Sequence, residues 1–133
     1  MDVPINYLAV LVAAVVGFGI GGAWYSVFSK PWLAAIGKTQ AEVKQGNAAI
    51  AYGGAFAAAL MAAFALALLI GLAQANTGVH GALLGLWAWV GFVAAPNLST
   101  YLFSRWPREL FFINNGYHFV TLLIMGAILG AWR

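Results

Sequence analysis

Four long apolar stretches dominate the chain, running roughly from Ile5 to Phe28, Ala48 to Leu72, Val79 to Phe103 and Leu110 to Trp132. None of them contains Lys, Arg, Asp or Glu. Each is longer than the ~20 residues that a helix needs to cross a hydrocarbon core of ~30 Å. The pattern predicts an all-α membrane protein with four transmembrane helices. Because the connections are short, we expect residues 1–133 to form a single four-helix transmembrane domain.

Composition supports the same class. Hydrophobic residues make up 64% of the 133 residues and charged residues only 7%, whereas roughly a quarter of an ordinary soluble domain is charged. The net charge of +3 comes from basic residues scattered between apolar stretches rather than from a basic patch, so we expect membrane lipid as a partner and no nucleic acid. The absence of cysteine excludes disulfides, thiolate metal ligands and thiol nucleophiles.

The basic residues are distributed unequally between the two sides of the predicted bundle. The second connection, residues 73–78, carries no charge, and the termini supply Asp2 and Arg133. Since Lys and Arg collect on the cytoplasmic side of membrane proteins, both termini are predicted to lie outside. The first and third connections, predicted to be cytoplasmic, hold the other basic residues: Lys30, Lys38, Lys44, Arg105 and Arg108.

The first connection has helical signals of its own. Thr39-Gln40-Ala41-Glu42 fits a capping box, which marks the start of a helix. Trp32, Leu33 and Ile36 just before it are spaced to lie along lipid headgroups. We therefore expect a short amphipathic segment in this loop.

Small residues four apart recur in every span, and in lipid they allow close helix packing. This predicts a tight bundle. Since the grooves outnumber those that one chain needs, we also expect a homo-oligomer of unspecified size. The candidate packing residues are Gly17 and Gly21, Gly81 and Gly85, Gly126 and Gly130, and Gly53 and Gly54, which Ala57 and Ala58 follow at that spacing.

The main functional clue is Asn114-Asn115-Gly116-Tyr117-His118, a polar cluster inside the last apolar stretch. Polar groups at this depth need partners because hydrocarbon offers none. At ~1.5 Å per residue, Asn114 would lie roughly 6 Å and His118 roughly 12 Å inside the cytoplasmic boundary. By helical phase, Asn114, His118, Thr121 and Met125 should form one stripe.

Other helices carry polar groups at a similar depth. On the third, Pro96 cannot donate a backbone hydrogen bond and should bend the helix just before Asn97. Tyr25 and Tyr52 lie near the same boundary on the first and second helices. The predicted layer therefore draws on all four helices. Its candidate solute-binding or pore-lining residues are Tyr25, Asn97, Thr100, Asn114, Asn115 and His118.

Metal and enzyme chemistry find little support. His80 and His118 would differ in depth by roughly 20 Å, so one chain cannot place both on a single ion, and no metal or cofactor is expected. No nucleophile has a base at a suitable spacing, so an enzyme is not expected. The spans also lack the embedded carboxylate on which small proton-coupled antiporters rely. A neutral or weakly charged solute is therefore easier to support.

A faint echo links the two halves of the chain at an offset of 75 residues. Phe28-Ser29-Lys30-Pro31-Trp32 resembles Phe103-Ser104-Arg105-Trp106-Pro107. The pair is typical either of a duplicated hairpin or of the aromatic and basic residues that collect at a membrane interface.

The chain resembles the bacterial family known as domain of unknown function 1761, which comprises small four-helix membrane proteins. The resemblance rests on Trp24-Tyr25-Ser26, on Trp32 with Gly37-Lys38-Thr39, and on Asn114-Asn115-Gly116-Tyr117-His118. Val27 stands where the family often has proline. The resemblance implies a multi-pass protein of the bacterial inner membrane, and it marks Trp24, Tyr25 and Ser26 together with Asn114 and His118.

Two functions lead from the sequence, and a third, an intramembrane enzyme acting on lipid, stays open only because His118 is titratable. In the first, a homo-oligomer binds or passes a small solute or ion at a polar site that faces the cytoplasm. In the second, the protein is a structural or accessory membrane subunit, whose polar residues only fix helix packing and whose first loop docks a partner or lipid headgroups.

Overall fold

A computed structural model describes residues 3–133 of the chain. Its helices occupy almost all of that range, and a π-helical turn, Val90–Ala94, joins two of them into one rod. The α-helices are α1 (Tyr7–Val27), α2 (Ser29–Ile36), α3 (Gln40–Lys44), α4 (Ala48–Ala73), α5 (Gly78–Trp89), α6 (Ala95–Ser104) and α7 (Arg108–Ala131).

The prediction of four membrane-spanning helices is confirmed. The spans are α1, α4, the α5–α6 rod over Gly78–Ser104, and α7, and all are long and apolar enough to cross a bilayer. The predicted boundaries differ from the observed ones by two residues or fewer. The protein is thus an all-α, multi-pass membrane protein.

Side chains define where several of these helices begin. At each of these starts a polar side chain accepts a hydrogen bond from a backbone N–H of the first turn, which has no partner within the helix. The N-cap residues are Asn6 for α1, Thr39 for α3, Asn47 for α4 and Thr77 for α5.

The two ends of the bundle differ in charge, and we name them accordingly. The charged end carries the connections with Lys30 and Arg105, and the opposite end carries Arg133. The buried core lies toward the opposite end, where α1, α4 and α7 meet. It is built mostly from alanine, with a few larger side chains. Its members include Ala9, Ala13, Ala14, Ala59, Ala63, Leu66, Ile70, Met125 and Leu129.

Glycines let α5 and α7 touch along their backbones. Gly81 lies against the backbone of Gly126 and Gly130, and Gly85 lies against the carbonyl of Leu122. A Cβ atom on Gly81 or Gly85 would overlap that backbone. The small-residue spacing therefore serves a real helix contact here, as such motifs do in lipid.

Gly17 and Gly21 serve a second contact, between α1 and α7. A Cβ atom on Gly17 would lie 3.1 Å from both Thr121 Cγ2 and Met125 Sδ, and one on Gly21 would lie 3.1 Å from Tyr117 Oη. Larger residues at either position would push α1 away from α7.

The first half of α4 diverges from the bundle. Gly53 and Gly54 are exposed, and a Cβ atom on either would meet nothing within 4 Å. Residues 3–133 thus supply no partner helix for this predicted groove. In this half, α4 meets α1 through aromatic rings, with Tyr52 and Phe56 set edge-on to Phe18.

The third span changes its winding just before Pro96. The N–H of Ala95 donates to the carbonyl of Val90, five residues back rather than the four of an α-helix. The hydrogen-bonded turn therefore contains one extra residue. Such a π turn relieves the clash between a proline ring and the preceding turn of helix. It also sets the direction of α6, which carries Asn97 and Tyr101 toward α7.

The echo at offset 75 does not produce two copies of one structure. Ser29–Ile36 continues as a helix, α2, which packs on α7. At the related position Arg105 adopts a left-handed conformation, with φ of 55°, and ends α6. The two segments still share one property, since Trp32 and Trp106 line the same cleft.

Candidate functional site

The side-chain amide of Asn114 lies between two phenols from different helices. Tyr25 Oη, on α1, donates to Asn114 Oδ1 at 2.7 Å. Asn114 Nδ2 in turn donates to Tyr101 Oη, on α6, at 2.9 Å. One residue of α7 therefore ties the first and third membrane spans together near the charged end.

The next residue, Asn115, is bonded differently. It is 1% exposed, its Oδ1 accepts from Asn97 Nδ2 at 2.9 Å, and its Nδ2 donates to the Phe111 carbonyl at 2.9 Å. Its backbone carbonyl accepts from Trp89 Nε1 at 2.8 Å. Because these polar groups all have partners within the chain, Asn115 is suited to fixing α6 and α5 on α7.

The motifs that carried the family resemblance contact each other directly. Trp24 Nε1 donates to the Ile113 carbonyl at 2.9 Å, and the Trp24 ring covers Gly116, where a Cβ atom would lie 3.0 Å away. The ring of Tyr25 is set edge-on to that of Tyr117, with centroids 5.6 Å apart. Their pairing in the sequence thus reflects a packed interface between α1 and α7.

An open cleft of about 430 Å³ lies between α2, the end of α6 and the start of α7. Most of its wall is aromatic or aliphatic, and the polar groups of Asn114 and Tyr101 border it. Its lining residues are Trp32, Ala35, Ile36, Tyr101, Trp106, Pro107, Leu110 and Asn114. An apolar cavity of this size with a few polar groups is typical of small-molecule sites.

Hydrogen bonds join Tyr25 to Asn114 and, in a separate group one residue along α7, Asn97 to Asn115, but the structure places Thr100 elsewhere. Thr100 is exposed, and its hydroxyl donates to the Pro96 carbonyl at 3.2 Å, within the same helix. A threonine can satisfy its hydroxyl in this local way.

His118 is exposed and lies outside the network, with its ring 4.9 Å from that of Tyr117. It shares a side of α7 with Met125, seven residues on, and Met125 is fully buried against α1 and α4. The two differ because α4 diverges at the level of His118, where residues 48–55 are exposed. The predicted stripe is therefore buried at Thr121 and Met125 but open at His118.

The network draws on three of the four spans rather than all of them. Tyr52, the polar candidate on α4, is 65% exposed, and its ring is set edge-on to that of Phe18. The predicted layer thus forms between α1, the α5–α6 rod and α7. The predicted layer was based only on the depth of each polar residue in the membrane. Depth alone does not determine where each helix axis runs.

Four residues central to the interface were not among the predicted site residues. Tyr101 and Trp89 belonged to no motif singled out in the sequence, and Trp24 entered only through the family resemblance. Trp89 and Tyr117 donate to backbone carbonyls of α7 and α1, at 2.8 and 3.2 Å. The available signal in the sequence was that tryptophan and tyrosine side chains, which can donate hydrogen bonds, occur in the first, third and fourth spans, and that the fourth also holds the adjacent amides Asn114 and Asn115.

Within residues 3–133, no group of three or more His, Asp or Glu side chains is placed to hold a metal ion. The site offers amide and phenol groups, which donate and accept hydrogen bonds without carrying charge. Such groups can hydrogen-bond to one another or to an uncharged polar partner.

The fold and the site define a four-helix, multi-pass membrane protein with a polar cluster and an open cleft at its charged end. A family model described as "Protein of unknown function (DUF1761)" matches residues 8–130, nearly the whole chain. The chain therefore belongs to this family, which confirms the resemblance. No curated protein and no solved structure matches it.

Proposed function

We propose that the protein binds or passes a small solute or ion through the cleft between α2, α6 and α7, as a homo-oligomer with this site facing the cytoplasm of a bacterial inner membrane. The observation that carries the proposal is the cleft itself: about 430 Å³, open, and bordered by the bonded amide of Asn114. A packing contact alone does not require such a space.

The orientation follows from charge. Five of the six Lys and Arg residues lie at the charged end, and Arg133 lies at the other. The positive-inside rule places the charged end, with the cleft, in the cytoplasm and both termini outside. In this orientation α2, with Trp32, lies at the cytoplasmic headgroups as an amphipathic segment.

The exposed half of α4 supports the homo-oligomer. Gly53, Gly54, Ala57 and Ala58 form an exposed small-residue surface, at about the depth of His118 by helical rise. A polar imidazole facing hydrocarbon is costly, and a second copy packed here would shield it. The grooves that the chain leaves without a neighbour would then receive one.

Solute passage is tested in proteoliposomes by following shrinkage and recovery after an osmotic step with small uncharged solutes and monovalent ions. Ala35→Trp fills the cleft, and we expect it to abolish recovery for the solute that the wild type admits. Ala34→Trp is the matched control, because Ala34 is exposed on the same helix and does not line the cleft. Equal recovery in both variants would contradict the proposal.

Assembly is tested by cross-linking. Because the chain has no cysteine, Ala58→Cys introduces one thiol per copy, and we expect oxidation in membranes to give a covalent dimer. Leu83→Cys, exposed on α5, is the control and should remain monomeric. A monomer at Ala58→Cys, or equal dimer at both sites, would argue against an interface on α4.

One observation favours the accessory-subunit alternative. Every residue from Gly37 to Ala55 is exposed, including α3, and such a surface suits docking of a partner or of headgroups. This alternative predicts that the wild type, like Ala35→Trp, shows no recovery for any solute or ion tried. The osmotic assay therefore separates the two functions.

A further inference from the structure

We infer that the cleft selects amphipathic ligands whose head is an anionic or neutral hydrogen-bond acceptor, held by the hydroxyl of Tyr101, and that it rejects cations. This inference rests on the proposed function, because it names the class of solute for the same cleft. It follows from the hydrogen-bond inventory at Asn114, from the charges around the cleft and from its walls.

The hydrogen bonds at Asn114 leave the hydroxyl proton of one tyrosine without an acceptor. A carboxamide presents an acceptor on its oxygen and donors on its nitrogen, and here one phenol contacts each side of Asn114. Tyr25 uses its proton on Oδ1, whereas Tyr101 accepts from Nδ2. This orientation of the amide leaves the proton of Tyr101, and not that of Tyr25, free. Tyr101 lines the cleft, so its free O–H is available to a ligand acceptor.

The charges flanking the cleft favour an anion over a cation. Lys30 lies in the first turn of α2 and Lys38 just after its end, and Arg105 and Arg108 bracket the turn with Trp106 and Pro107. Glu109 is the acidic neighbour, and none of the lining residues is a carboxylate. A cation approaching the cleft would therefore meet exposed like charges on the neighbouring segments, which repel it.

The walls favour a ligand with an apolar body. Trp32 and Trp106 supply aromatic surface, and Ile36 and Leu110 supply aliphatic surface. Aromatic faces alone would attract cations, so walls and flanking charges act in opposite directions on a cationic ligand. A ligand with an apolar body and an acceptor head satisfies the walls, the free hydroxyl and the basic surroundings together.

The test compares three ligands with one body: 1-naphthylacetate, 1-naphthylacetamide and 2-(1-naphthyl)ethylamine. They are an anionic acceptor, a neutral acceptor and a cationic donor. Binding to the full chain in a neutral detergent is measured by calorimetry. We expect the acetate and the amide each to bind at least about fivefold more tightly than the amine, the scale of one hydrogen bond. Ala35→Trp should abolish this binding, and Ala34→Trp should preserve it.

Tyr101→Phe isolates the hydroxyl. It should weaken the acetate and the amide by about five- to tenfold, which is the usual range for losing one such hydrogen bond, and leave the amine unchanged. Tyr52→Phe, an exposed tyrosine on α4, is the matched control. The wild-type order of affinities stands as a test even if Tyr101→Phe lowers the yield of folded protein.

The outcomes are distinguishable. If the amine binds as tightly as the acetate and Ala35→Trp blocks it, the ligand class is overturned while the proposed function survives. If Tyr101→Phe folds and binds all three as the wild type does, the role of the hydroxyl is overturned. If Ala35→Trp affects none of the three, both the ligand class and the proposed function fail.

A carboxylate-headed solute and an anionic lipid headgroup share this chemistry. A short-chain phosphatidylglycerol added to the same titration separates the two sources. Displacement of 1-naphthylacetate supports the site with a lipid as its source. Unchanged binding supports it with a free amphipathic acid.

Discussion

The interface between α7 and the third span is formed by different kinds of contact at its two ends. At the opposite end, α5 contacts α7 through Gly81 and Gly126, backbone against backbone. At the charged end, α6 is held to α7 by Asn97 and Tyr101 through side-chain hydrogen bonds. The π turn between α5 and α6 lets one span make both kinds of contact. At the opposite end small residues bring the helix backbones into contact. At the charged end amide and phenol side chains lie between the helices and keep the backbones farther apart.

The difference bears on function because each contact sets a helix separation. Glycine contacts leave no room for a solute, whereas a phenol–amide–phenol bridge keeps helices a side chain apart. The cleft lies where the second kind occurs. The predictions below test this division, beginning with the largest expected effect.

Gly81→Leu should abolish folding of the bundle. Its side chain would overlap the backbone of Gly126, and overpacking commonly costs about 1–3 kcal/mol even where side chains can move. The yield of monodisperse protein by size-exclusion chromatography measures the effect. Gly19→Leu is the control, since a Cβ atom there meets nothing within 4 Å. Equal yields would mean that the glycine contact is not required.

Asn115→Leu should reduce stability by about 1–2 kcal/mol, near the upper end for interhelical hydrogen bonds in membranes. It leaves Asn97 Nδ2 without its acceptor and removes the bond to the Phe111 carbonyl. Reversible unfolding in mixed micelles gives the change in free energy. Thr100→Ala, which loses only a bond within its own helix, should be close to wild type. A larger loss for Thr100→Ala would contradict the assignment of Asn115.

Tyr25→Phe should have the smallest effect on stability, about 0.6 kcal/mol, the average for such a bond in a membrane. It removes the donor to Asn114 Oδ1 but keeps the ring packing on Tyr117 and Trp32. The same unfolding measurement applies. A loss as large as that of Asn115→Leu would show that the charged end is also a stability core.

Local patterns predicted much of this molecule. Uncharged runs gave the four spans because the bilayer requires them. The small-residue motifs that contain Gly81 and Gly126 predicted close helix packing. Each motif is a local pattern on neighbouring turns of one helix. Asn97 and Asn114 were placed at similar depths, and each does form a hydrogen bond between helices.

The remainder depends on where helix axes run, which no single helix encodes. His118 has the phase of a buried position, yet it is exposed because α4 diverges at that level. The role of Tyr101 depends on how the π turn aims α6, and Pro96 indicated a bend without its direction. Trp24 was marked only by the family resemblance, and its contact with Gly116 depends on where α1 lies against α7.

The central claim, that the charged end is open to water at the depth of Asn114, is tested most directly by thiol accessibility. With no native cysteine, Asn114→Cys, Gly46→Cys and Met125→Cys each report one position to a hydrophilic, membrane-impermeant reagent added from the charged side. We predict that Asn114→Cys reacts at a rate approaching that of the exposed loop site Gly46→Cys, while the fully buried Met125→Cys stays unmodified. An Asn114→Cys protein as unreactive as Met125→Cys would mean that this end is dry and packed, contradicting the account.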